Sequence, residues 1–233
     1  LLEVAGLDAG YASAHVLDGI SLTVARGEVV AVLGRNGMGK TTLLRAICGL
    51  KPPVRTAGTV VFKERPLDGL PAHEVARRGI SLVPQGRRVF SSLSVEENLR
   101  IAARPRKDGW DVGSVYGLFP RLRERSRQRA GTLSGGEQQM LAIGRSLMTN
   151  PDLLVMDEPS EGLSPAVIDQ VGDRIRDLRG KGLGLLVAEQ NVDLALSIAD
   201  RVDVIGDGGT ISWTGAPDRL RSDEALVAQL VGL

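Results

Sequence analysis

Gly34-Arg35-Asn36-Gly37-Met38-Gly39-Lys40-Thr41 is a glycine-punctuated run closed by an amine and a hydroxyl, with a second hydroxyl at Thr42. It follows the apolar stretch Val29–Leu33 and precedes a helical pattern over Thr41–Leu50. The spacing G-x-x-x-x-G-K-T suits a phosphate cradle. Its glycines let successive backbone N–H groups converge on phosphate oxygens, and the following helix directs the positive end of its dipole there. Gly34, Asn36, Gly37 and Gly39 would shape the loop. Lys40 would place a point charge between the β- and γ-phosphates, and Thr41 would offer a hydroxyl to Mg2+. A second group ends the apolar strand Leu153–Asp157, where Asp157 would hold Mg2+ through its water shell. The next residue, Glu158, is placed to orient and deprotonate an attacking water. With no site for a substrate hydroxyl in view, the acid pair favours hydrolysis over transfer to a small molecule. A third group, Leu133-Ser134-Gly135-Gly136-Glu137, opens another helix and so forms another anion-attracting N-terminus, although the phosphates already have a cradle.

Short apolar strands are expected at Val29–Leu33, Ile80–Val83, Leu153–Asp157, Leu185–Ala188 and Val202–Ile205. Helical patterns lie at Thr41–Leu50, Glu137–Met148, Ala166–Leu178 and Val192–Ala199. Continuous apolar strands alternating with helices indicate an α/β fold whose parallel sheet is covered on both faces. Leu1–Leu7, Ile20–Val24 and Thr59–Phe62 alternate more, which suggests a small antiparallel sheet at one edge. Thr210–Thr214 reads as a further strand and Asp223–Val231 as a terminal helix. From Gln85 to Thr132 the pattern becomes that of a helical insertion. Val95–Ala102 carries Ser94 as N-cap with Glu97 three residues on, a capping-box pattern. Pro105–Gly113 reads as a loop and Pro120–Gln128 as a basic stretch. Between Arg100 and Arg129 there are nine Lys/Arg against three Asp/Glu. Such a surplus fits a solvated helix face, or contact with anionic headgroups or a partner's loops. The expected organisation is one unit over 1–233, with a core from 1–84 and 151–233 and a helical subdomain from 85–150.

Composition excludes several classes. Of 233 residues, 29 Lys+Arg oppose 28 Asp+Glu for a net charge of +1, unlike a protein that coats a polyanion. Three Phe, two Tyr and two Trp are too few for a base-stacking platform, so no nucleic-acid partner is expected. At 42% hydrophobic residues the chain can form a core, which excludes disorder. Its longest apolar run, Val29–Leu33, is far short of the ~20 residues that cross a bilayer, and no secretory signal pattern opens the chain. Cys48 stands alone, which excludes an internal disulfide framework and a cysteine-rich metal site. A cytosolic location is the default. The chain starts at Leu1, so a few preceding residues are expected.

LSGGE at 133–137, continued by QQMLAIGRSLM, resembles the signature of the ATP-binding cassette (ABC) family. The resemblance covers nearly the whole chain. It implies an α/β P-loop NTPase (RecA-like) core with an antiparallel β subdomain and a helical insertion, and an ATPase that uses MgATP. It further implies that cassettes work in pairs, with Ser134, Gly135, Gly136 and Glu137 of one closing over the γ-phosphate held by the other. Gln85 matches the Q-loop glutamine that senses Mg2+ or attacking water near the membrane partner. Ser160-Glu161-Gly162-Leu163 matches the D-loop that meets the opposite subunit, and Tyr11 the aromatic that stacks on adenine. GRNGMGKTTLLRAICGL, LVPQGRRVFSSLSVEENL, MDEPSEGLSP and VAEQNVDLALSIADR are similar to the second ATPase of branched-chain amino acid uptake systems. Urea or short-chain amide importers are close neighbours of that branch, and the lipopolysaccharide-extracting ATPase a more distant one. The implied partners are a second ATPase subunit, identical or related, and transmembrane permease subunits. A solute-binding protein is implied indirectly, and the implied location is peripheral, on the cytoplasmic side of the inner membrane.

One departure concerns mechanism. The wider family usually carries a switch histidine where this chain has Gln190, within Glu189-Gln190-Asn191, and the resembled branch also reads EQN. A neutral amide can donate to the γ-phosphate but carries no imidazolium charge, so no pH step near neutrality is expected from this position. His15 and His73 fall in no motif and are expected at the surface. Among alternatives, a DNA-maintenance ATPase with the same signature would need long coiled coils between Lys40 and Asp157, and no sustained heptads lie there. A non-hydrolysing ATP-dimerised module conflicts with the intact Lys40, Asp157 and Glu158, and a small-molecule kinase would leave LSGGE unexplained.

Overall fold

The computed structural model describes residues 1–12 and 14–231. In chain order the elements are β1 (Leu2–Tyr11), β2 (Ala14–Val24), β3 (Val29–Leu33), α1 (Lys40–Ile47), β4 (Val54–Phe62), β5 (Arg65–Pro66), α2 (Ala72–Arg77) and β6 (Ile80–Val83). Then come α3 (Val95–Arg100), α4 (Val112–Leu118), α5 (Pro120–Glu124), α6 (Gly135–Leu147), β7 (Leu153–Asp157), α7 (Pro165–Gly180) and β8 (Gly184–Glu189). The chain closes with α8 (Val192–Ile198), β9 (Arg201–Ile205), β10 (Ile211–Gly215), α9 (Pro217–Arg221) and α10 (Glu224–Val231).

Six strands form one sheet in the order β10-β9-β3-β8-β7-β6, parallel except for β10, which runs antiparallel beside β9. All five residues of β3, all five of β7 and all six of β8 are buried, because helices or a second sheet cover both faces. Alternation along these strands divides the core. Leu154, Met156, Leu185 and Val187 face a cluster with α3, α4, α6 and α7, including Leu99, Val115, Ile143 and Ile175. Val155, Leu186, Val30 and Val32 face the other side, where Leu43, Leu44 and Ile47 of α1 meet Leu7, Leu17 and Phe62 of the second sheet. The helices of 95–147 thus share one apolar cluster with the sheet. That second sheet is antiparallel, in the order β2-β1-β4-β5.

Several elements differ from expectation, each for a local reason. β1 runs to Tyr11 rather than stopping at Leu7. Register shifts after Val4, Leu7 and Ala9 break the two-residue alternation from which a strand end is read. β2 and β4 likewise begin earlier than expected, at Ala14 and Val54. The loop assigned to Pro105–Gly113 already contains the start of α4, whose N-cap Asp111 accepts the Ser114 N–H at 2.7 Å. Only Pro120–Glu124 of the basic stretch is helical, in a separate α5 started by Pro120 at its first turn. The capping box at Ser94 and Glu97 is present. His15 and His73 are 53% and 65% exposed. No described helix is long and apolar enough to cross a membrane.

Candidate nucleotide-hydrolysis site

Parallel register brings the predicted residues that follow β3, β6, β7 and β8 to one edge of the large sheet. Val32 lies opposite Ala188, which lies opposite Asp157; Leu33 pairs with Glu189, and Val83 with Met156. The segments leaving that edge are therefore the glycine loop after Leu33, the acid pair at the end of β7, Gln85 beyond β6 and Gln190 beyond β8. Open α/β sheets bind ligands at this C-terminal edge.

The glycine loop is shaped by close approach. A Cβ on Gly34 would fall 2.8 Å from the Ile205 carbonyl oxygen. Gly39, the N-cap of α1, has φ 100°, and a Cβ there would meet Leu17 Cδ2 at 2.7 Å. Gly37 also has positive φ, while Asn36 is exposed. Lys40 is 3% exposed, so its ammonium needs partners. It donates to Gly34 O at 2.8 Å and Arg35 O at 3.2 Å, and its Nζ lies 3.1 Å from Glu158 Oε1. Glu158 adopts φ 47°, a left-handed conformation unusual for a residue with a side chain, while its N–H donates to Ala188 O at 2.9 Å. The turn coincides with a carboxylate that meets both Lys40 and Gln85, whose Nε2 donates to Glu158 Oε2 at 3.3 Å.

Thr41 Oγ1 donates to Asp157 Oδ1 at 3.0 Å. Burial pushes the Asp157 carboxyl above its usual range; the Thr41 bond and Lys40 oppose that shift, and Glu158 adds to it. A half-buried hydroxyl beside a buried carboxylate supplies the hard oxygen donors that a small divalent cation takes. Thr42 Oγ1 donates to Tyr11 Oη at 3.4 Å, which ties the half-buried Tyr11 to α1. Tyr11 is the last residue of β1 rather than a loop residue beyond it.

Ser134, Gly135, Gly136 and Glu137 are placed elsewhere. Among the described residues no hydrogen bond or ion pair joins them to the Gly34–Thr42 loop. Ser134 caps α6 in a reciprocal box with Glu137: its hydroxyl accepts the Glu137 N–H at 3.3 Å, and its own N–H donates to Glu137 Oε2 at 2.9 Å. Burial pushes the Glu137 carboxyl up, but Ser134 and the Arg125 guanidinium, 2.6 Å away, hold it below the ordinary range. A Cβ on Gly136 would strike Val167 Cγ1 at 2.6 Å.

Gln190 is exposed, and its side chain has no hydrogen-bond partner among the described residues. Two further residues escaped the sequence reading. Arg87 lies against the signature, where a Cβ on Gly135 would be 2.7 Å from its Nη1, and its Nη2 donates to Gly162 O at 3.1 Å. The signal for it was a charged pair, Arg87-Arg88, directly after Gln85-Gly86. Glu189 ends β8 with its carboxylate buried against Ser160. Its signal was an acid closing an apolar strand, the same pattern as Asp157.

Residues 17–161 match the ABC transporter family model, and the chain belongs to that family. It is an ATPase built on the family's ATP-binding domain, and it serves a transporter. BraG of Pseudomonas aeruginosa, a high-affinity branched-chain amino acid transport ATP-binding protein, is 47% identical over 88% of this chain and 89% of its own length. LivF of Archaeoglobus fulgidus, a probable branched-chain amino acid transport ATP-binding protein, is 36% identical over 100% of this chain and 99% of its own. LptB of Escherichia coli K12, a lipopolysaccharide export system ATP-binding protein, is 34% identical over 96% and 93%. The ADP conformation of MJ1267, an ATP-binding cassette of an ABC transporter, superposes with a TM-score of 0.84 at 27% identity, covering 97% of this chain and 96% of that one.

Proposed function

We propose that this chain is the ATP-hydrolysing subunit of an importer for branched-chain amino acids or related small polar solutes, held peripherally at the cytoplasmic face of the membrane by permease subunits. The similarity to BraG along nearly the whole of both chains supports the cargo class. The observation that carries the mechanism is the absence, among the described residues, of any bond between the signature and the phosphate loop of the same chain. Two anion-binding helix starts that do not meet within one chain can meet across a pair, identical or mixed.

In this reading the loop N–H groups and Lys40 bind the phosphates, Tyr11 packs against adenine, and Gln190 donates its amide to the γ-phosphate. Thr41 and Asp157, with Gln85, would hold Mg2+, which when bound screens the charge between the β- and γ-phosphates. Glu158 orients the attacking water and accepts its proton. Ser134, Gly135, Gly136 and Glu137 of the opposite cassette close over the γ-phosphate. Differential affinity of ATP for the closed pair drives the closing, and hydrolysis releases it. The helical segment 85–150 passes that movement to the permease.

Co-expression with candidate permease and second ATPase subunits, followed by reconstitution with the solute-binding protein, tests the assignment: ATP-dependent accumulation of leucine, isoleucine or valine is expected. ATP-driven lipopolysaccharide release without amino acid uptake would overturn it in favour of the LptB-like reading, which the 34% identity supports less strongly. Light scattering of Glu158→Gln with MgATP is expected to show a pair; a monomer under those conditions would end the two-cassette mechanism.

A further inference from the structure

The reaction as described uses no carboxylate at 189, yet Glu189 is 1% exposed at the C-terminal end of β8. Its Oε1 accepts the Ser160 N–H at 2.9 Å, and its Oε2 accepts the Ser160 hydroxyl at 2.8 Å. The same Oε2 accepts the backbone N–H groups of Gln190 and Asn191, each at 3.1 Å. Asn191 in turn caps α8 by accepting the Leu194 N–H at 2.9 Å. Among the described residues no cation pairs with Glu189, so four neutral donors hold the carboxylate.

Those donors come from two separate segments. Ser160 belongs to the stretch after β7, and Gln190 and Asn191 to the stretch after β8. Apart from the bond from Glu158 N–H to Ala188 O, the Glu189 carboxylate supplies the hydrogen bonds that join the two segments among the described residues. A carboxylate is an acceptor at every lone pair and can take all four donors, whereas an amide of the same shape turns an NH2 towards N–H groups and leaves some unpaired.

We propose that Glu189 is a positioning residue for hydrolysis, locking Ser160 to the backbone at Gln190 and Asn191 so that the two segments move as one piece. The 160–163 stretch, which the resemblance sets against the opposite cassette, then sets the place of the glutamine that the proposed reading turns to the γ-phosphate. This rests on the reading of Gln190 given above.

The test is a double-mutant cycle on the full chain, measuring MgATP turnover, the ATP concentration for half-maximal rate, and thermal melting. Glu189→Gln is expected to lower saturated turnover by about tenfold or more while half-saturation stays within about twofold. Melting of this variant is expected to stay within a few degrees of the parent. Gln190→Ala is expected to lose turnover as well, and the double variant to be no slower than the slower single one. Turnover of Glu189→Gln within about twofold of the parent overturns the proposal, as does a double variant whose losses multiply. A loss that tracks weaker ATP binding or a lower melting temperature also overturns it. Should Glu189→Gln not fold, Ser160→Ala replaces it. Non-additivity with Gln190→Ala then supports the lock, and multiplied losses refute it. Normal turnover in Gln190→Ala would overturn the reading of Gln190 itself, whereas a slow Gln190→Ala beside a normal Glu189→Gln overturns the lock alone.

Discussion

β7 and β8 are neighbouring parallel strands with nearly the same wording, LLVMDEP and LLVAEQN, and each delivers an acid to the same edge of the sheet. Their acids differ in company. Asp157 and Glu158 meet a hydroxyl, an ammonium and an amide, in the part of the edge where the glycine loop opens. Glu189 is enclosed and saturated by four donors from the protein's own turns. In the proposed reading one strand end faces chemistry and its neighbour holds the framework still. A strand that closes on an acid therefore does not announce which role that acid has; the partners decide.

The comparison breaks most sharply at Glu158. Glu158→Gln is expected to slow hydrolysis by ~10²–10⁴-fold with nucleotide affinity largely retained, as measured by phosphate release and by nucleotide titration. Retained turnover would remove the distinction between the two strand ends. Next in size is Asp157→Asn, expected to raise the Mg2+ concentration for half-maximal activity by about tenfold or more, since the carboxylate is the charged member of the Thr41–Asp157 pair. Gln190→His sharpens the contrast in another way: a step in the pH–rate profile within about a unit of 6.5 is expected, where the parent chain has none from this position.

The smallest expected effect is at the signature helix. Glu137→Gln is expected to cost about 1 kcal/mol, or a few degrees of melting temperature. The Glu137 carboxyl titrates below the ordinary range in the folded chain, so its contribution is complete above the ordinary glutamate range and is lost as pH falls through the lowered value. The parent and the variant should therefore converge in melting temperature on acidification.

Legibility in the sequence followed locality. The phosphate loop, the acid pair and the LSGGE helix start were readable because each is a contiguous string between an apolar strand and a helix, and the central strands β3, β6 and β7 kept their expected bounds. α4 was hidden because Gly113 and Gly117 lie inside it and its N-cap is an aspartate in a polar stretch. The bulges of β1 disguised its length. Glu189 and Arg87 left only local signals that did not fix a role, because their partners, Ser160 and Gly162, arrive from distant segments rather than along the chain.

The left-handed backbone at Glu158 carries a small cost that the ion pair of its side chain with Lys40 outweighs. A non-glycine residue there carries about 1 kcal/mol of conformational penalty that asparagine or glycine would largely escape. Either replacement would leave the buried Lys40 ammonium without its carboxylate, a larger cost than the turn returns, so selection for heat resistance alone would not remove the acid from this strand end.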